Sequence, residues 1–162
     1  MADCKDRVEA EYEAIENTLS FLPDKQISRL SKLELAGLAT LIHNFYNGIE
    51  NILKQVFQLK SIKIPTGSSW HQELLLKAKN ENIISEELAE KLKEYLGFRH
   101  FFAHSYVLDL NPSRIESLVE KIVETFDEFK EEINNILEII SVREAEDIDA
   151  FRVLLENVYG RT

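Results

Sequence analysis

The residues best suited to chemistry lie in one short stretch, Gly97-Phe98-Arg99-His100-Phe101-Phe102-Ala103-His104-Ser105-Tyr106. Apolar helix ends rarely carry so many polar groups, since each must be hydrated or hydrogen-bonded. Arginine offers a fixed cationic fork to an anion, and histidine can take up and return a proton near neutral pH. A structural account of the same residues also exists. Arg99 could pair with Glu90, Glu94 or Asp109 in a surface ion pair of small worth. His104 could be a histidine favoured by a helix C-terminus, and Tyr106 a core tyrosine with its hydroxyl at the surface. His100 and His104 stand four apart, the spacing of a two-histidine metal site on one helix face. Only His71 or Asp109 offers itself as a third ligand, so no metal site is expected.

The elements that must position these residues read as helices. Leu, Ile, Glu, Lys and Ala dominate, only five glycines and three prolines interrupt the chain, and no strand-like alternation appears. A first helix is expected from about Ala2 to Leu19, carrying Val8, Tyr12 and Ile15 on one face. Ser31-Lys32-Leu33-Glu34 has the form of a capping box and opens a second helix that reaches Val56. Pro65 and Gly67 punctuate a loop before a short helix from Trp70 to Lys79. Ser85 is a cap for a fourth helix, which ends in the polar stretch. Asn111-Pro112 opens a fifth, with Ser113 and Glu116 again at capping-box spacing and an apolar stripe from Ile115 to Ile140. A separate short helix is expected over about 146–159. The reading is an all-α, antiparallel up-and-down bundle of four or five helices. It forms a single domain over 1–162, with its core at about 30–142.

Composition narrows the function classes. One cysteine, Cys4, excludes an intrachain disulfide. The charged start from Met1 to Glu16 has no apolar signal region, and no run is long enough to span a bilayer. A reducing cytoplasm is the expected location, with no membrane association. The net charge of −10 argues against a general nucleic-acid coat. Residues 54–114, however, carry nine bases against seven acids between strongly acidic flanks, so a polyanion is expected at that middle segment. The acidic runs at 127–132 and 144–149 read as solvated faces. Glycine-rich phosphate loops, paired-aspartate transferase signatures and nucleophile elbows are missing from the sequence. Trp70 reads as a lid over the core, and His43 as a packed or surface residue.

Arg99-x4-His104-x-Tyr106 matches the RX4HXY signature of the HepT-like toxins, helical-bundle ribonucleases of the HEPN superfamily. The segments Phe45-Tyr46-Asn47-Gly48-Ile49-Glu50-Asn51-Ile52, Pro65-Thr66-Gly67-Ser68-Ser69-Trp70-His71-Gln72-Glu73-Leu74-Leu75 and Tyr95-Leu96-Gly97-Phe98-Arg99-His100 resemble that family too. The resemblance implies cleavage of RNA through the ribose 2′-OH, without metal or other cofactor. It places the site between the protomers of a homodimer and makes Arg99 and His104 the catalytic pair. It further implies that an MNT-type nucleotidyltransferase antitoxin, of the MntA type, silences the toxin by transferring AMP to Tyr106. His100, Ser105, Glu50 and Asn51 are candidate supporting residues, the last two as mid-helix polar groups that could orient Arg99. The alternative is a non-catalytic helical module that binds a nucleotidyltransferase or a nucleotide. Five residues rotate about 140° and rise about 7.5 Å on an ideal helix, so Arg99 and His104 do not share a stripe. A helix that unwinds near Tyr106, or a two-fold axis, would bring such groups together.

Overall fold

A computed structural model describes residues 2–104 and 110–159. Five α-helices, α1 (Ala2–Leu19), α2 (Lys32–Leu59), α3 (Trp70–Asn80), α4 (Glu86–His104) and α5 (Pro112–Tyr159), make up the fold, with one 3-10 turn at Ile27–Arg29 and no strand among the described residues. The capping box at α2 forms in full. The Ser31 amide donates to the Glu34 carboxylate (2.8 Å), and the Glu34 amide donates to the Ser31 hydroxyl (3.2 Å). The Ser31 amide and Lys25 hold the Glu34 carboxyl down at about 2. Ser85 caps α4 by accepting the Leu88 amide, and Glu132 of α5 accepts from both the Ser85 amide and hydroxyl at 2.6 Å. Part of the acidic run 127–132 therefore ties helices together instead of only facing solvent. At α5 the cap is Asn111, whose side-chain oxygen accepts the Ser113 amide at 3.0 Å; the expected box between Ser113 and Glu116 gives way to it. Pro112 takes the first helical position, where its missing N–H costs nothing.

Pairwise contacts show neighbouring helices running antiparallel. Cys4 meets Gln55 and Ile15 meets Gly48 across α1 and α2. Tyr12 meets Asn134 and Glu16 meets Lys130 across α1 and α5. Tyr95 reaches Leu118 and Lys91 reaches Glu128 across α4 and α5. Helix α2 is the central element, with twelve buried residues, including Phe45, Ile49, Leu53 and Phe57. Aromatic edges knit the middle of the core: Phe45 packs on Tyr95 (centroids 5.1 Å) and on Phe126 (6.1 Å), and Tyr12 also packs on Phe126. The Tyr95 hydroxyl is committed to the Leu118 carbonyl at 2.8 Å, and burial pushes it up to about 12. Trp70 packs over the core edge beneath Lys54, whose ammonium lies 4.0 Å from the ring centroid.

Two expectations about the ends change. Val8, Tyr12 and Ile15 of α1 are buried in the main cluster, so the core starts well before residue 30. Helix α5 is also continuous over 48 residues, and the segment 146–159 is its distal part, not a separate helix. No glycine or proline between 113 and 159 offers a break. Leu137 is the last buried core residue; from Arg143 to Val158 every residue is exposed.

Candidate active site

Arg99 lies five residues before the end of α4, about a fifth exposed, facing the central helix α2. Its Nε donates to Asn47 Oδ1 at 3.2 Å and lies 3.7 Å from Glu50 Oε2. Glu50 is 2% exposed, and its other carboxylate oxygen sits 2.6 Å from His71 Nδ1, from the first turn of α3. Three helices thus meet at one buried carboxylate. Asn47 and Glu50 share a face of α2 because three residues bring side chains back to one stripe. Burial raises the Glu50 carboxyl; the His71 hydrogen bond and the charges of His71, Arg99 and Lys54 pull the other way. Among the described residues, the hydrogen bond and ion pair of Arg99 both run through Nε. The terminal Nη edge, the part of the fork suited to a phosphate, is not the part so engaged.

His43 sits one turn before Asn47, its ring packed at a 35° tilt against Phe102 with centroids 5.0 Å apart. Burial lowers its basicity, and Arg99 and His71 lower it further. Its Nδ1 and the hydroxyl of Tyr46 are buried without a hydrogen-bond partner among the described residues. Orphaned buried polar atoms of this kind are uncommon and cluster at strained or functional places.

His100 and His104 are exposed on the outer face of α4, with ring centroids 4.7 Å apart. Among the described residues no third histidine, cysteine or carboxylate joins them in a metal-binding group. Because α4 stays helical through His104, Arg99 and His104 diverge as the helical rotation requires, Arg99 toward α2 and His104 toward solvent. Ser105 and Tyr106 lie outside the described residues. Asn51 does not support Arg99: it is exposed on the α1 side of α2, where its amide donates to Glu11 at 3.2 Å. One position along an α-helix is a turn of about 100°, enough to separate it from Glu50. The orienting residues that sequence reasoning passed over are Asn47 and His71. Asn47 carried a readable signal, a polar residue four after His43 and three before Glu50 on one stripe of α2. His71 carried none as an orienting group, since its approach to Glu50 depends on how the 60–69 loop folds α3 back onto α2.

A groove of about 760 Å³ opens between α3 and α4 and begins at this cluster, lined there by His71, Arg99 and His100.

The sequence pattern of the family described as "HepT-like protein" matches residues 37–140, nearly two thirds of the chain and all of this cluster. The chain belongs to the HepT-like family. No curated protein matches it. Among solved structures, the HepT-like chain is similar to the cytosolic protein of unknown function YutE from Bacillus subtilis. The TM-score is 0.64 at 14% identity, covering 98% of this chain and 94% of that one. That likeness is one of fold: the same helix bundle at low identity. No described helix of this HepT-like chain is long and apolar enough to cross a membrane.

Proposed function

We propose that this HepT-like chain is a metal-independent endoribonuclease toxin that works as a homodimer. The carrying observation is the Arg99 guanidinium, held through Nε by Asn47 and Glu50 at the head of an open groove. A cation fixed in advance costs no reorganisation when charge builds on a phosphate in the transition state. His104, exposed one turn and a half further on, supplies the proton chemistry: it takes the proton of the attacking ribose 2′-OH or returns one to the leaving 5′-oxygen. One helix does not bring Arg99 and His104 together, so a second copy across a two-fold axis completes the site. On this reading Tyr106, two residues after His104 in the sequence, is the residue an MNT-type nucleotidyltransferase antitoxin modifies with AMP, and the added phosphate charge repels RNA. His100 and Ser105, each next in sequence to one member of the pair, are the supporting residues on this reading.

The test is induction of the wild-type chain beside His104→Ala in growing cells, with total RNA examined from both cultures. Growth arrest and RNA fragmentation in the wild type alone are expected. Intact RNA and equal growth in both cultures would sink the nuclease reading. One observation favours a second reading, a non-catalytic module that binds a nucleotidyltransferase or a nucleotide: Arg99 already has a buried carboxylate nearby, in a chain of net charge −10. On that reading both cultures grow, and a nucleotidyltransferase still co-purifies with the chain.

A further inference from the structure

The groove between α3 and α4 extends well beyond Arg99. Its far walls carry Lys93 from α4 and Lys79 from α3, and its floor is apolar, formed by Leu75 and Leu96 beside the open Gly97. Because α3 and α4 run antiparallel, Arg99, Lys93 and Lys79 follow one another along its length, about 15 Å from Arg99 to Ala89 at 1.5 Å per residue. Three permanent cations face a single lining carboxylate, Glu90, in a chain whose net charge is −10. Glu50, Glu86 and Glu90 each lie near one of these cations, but only Glu90 lines the groove, so the lining itself is richer in cations than the chain as a whole. Lys93 lies 3.5 Å from Glu90 and Lys79 3.0 Å from Glu86, and both carboxylates are well exposed. Such surface pairs are weak, so a phosphate can replace the carboxylate at little cost.

We infer that the α3–α4 groove is a binding track for a single strand of RNA, with Lys93 and Lys79 contacting successive phosphates on the way to Arg99. The track rests on the nuclease reading above for its direction toward Arg99, but its binding role is separable from cleavage. Apolar side chains on the floor meet ribose and base faces without reading sequence, and the cations follow the backbone. The volume falls within the ~300–1,000 Å³ of ordinary ligand sites.

The probe is a short fluorescein-labelled 2′-O-methyl oligoribonucleotide, which lacks the attacking hydroxyl and so reports binding alone. Its affinity is measured by anisotropy against a salt series for the wild type, Lys79→Glu, Lys93→Glu and Lys121→Glu. Lys121 is exposed on α5 outside the groove and gives the same change in net charge. The two groove variants are expected to bind roughly tenfold more weakly, with the salt slope reduced by about 0.7 per lost phosphate contact, and Lys121→Glu to bind as wild type. Equal loss in all three variants would mean that only net charge is sensed, and would overturn the track. Unchanged binding in the groove variants, or no binding by the wild type, would overturn it too. Groove-dependent binding by a chain that leaves ordinary RNA intact would remove the nuclease reading and keep the track. Cleavage of ordinary RNA with wild-type binding in both lysine variants would do the reverse.

Discussion

Glu50 is where the local electrostatics of the site concentrate. A carboxylate at 2% exposure is tolerable because His71 and Arg99 approach it from two other helices. Removing it leaves Arg99 and His71 without their buried partner and opens a void, so Glu50→Ala is expected to cost about 3 kcal/mol of stability, read by urea denaturation. Glu50→Gln keeps the shape and is expected to stay folded while losing the proposed RNA cleavage, since the ionic restraint on Arg99 is gone. His43 contributes a pH dependence. Its folded basicity is depressed below 6.5, so between its folded value and 6.5 the unfolded chain binds more protons than the folded one. Stability therefore rises with pH through that window and is lost as pH falls below 6.5. Glu50, raised by burial, acts in the opposite sense between 4.5 and its own folded value. His43→Phe should show a smaller drop in melting temperature than the wild type when pH is taken from above 6.5 to below it. An equal drop would assign the pH dependence to other groups.

At the scale of elements, two glycines of α2 make opposite demands. A Cβ on Gly48 would stand 2.6 Å from Cγ1 and 2.7 Å from Cδ1 of Ile15, a buried residue of α1. Gly37 meets nothing within 4 Å. Gly48→Ala is expected to destabilise by about 1–2 kcal/mol, overpacking outweighing the better helix propensity of alanine. Gly37→Ala is expected to stabilise by about 1 kcal/mol, both read from thermal unfolding. Helix starts were legible wherever a cap had one reading, as at Ser31 and Ser85. At α5 two caps competed in the sequence, and Asn111 prevailed because it precedes Pro112 and lies two residues before the Ser113 amide. Arg99 and Glu50 were legible as polar interruptions of apolar stripes. Asn51 and His71 were not, because one helical step and one loop path decide which groups meet, and neither leaves a mark in residue type.

At the scale of the molecule, α5 is the outlying element. Its 48 residues make about 72 Å of helix at 1.5 Å per residue, while its last buried core residue is Leu137. From Arg143 to Val158, ending the chain after Val142 removes only exposed side chains. It is expected to leave the melting temperature of the remaining bundle within a few degrees of the full chain. A large drop would show that the distal segment packs in solution. The sequence pattern along α5 was clear, but its amphipathic spacing continues past the point where the bundle ends, so period alone could not locate the edge of the core. The protruding part of α5 has a consequence for motion. A compact bundle bearing a rod of roughly 30 Å tumbles as an anisotropic rotor. Amide N–H vectors along α5 lie nearly parallel to the long axis, which is reoriented only by the slower end-over-end tumbling. Their nitrogen relaxation would therefore report a longer apparent correlation time than that of helices inclined to it, and the helix would be visible in solution by its orientation before any distance was measured.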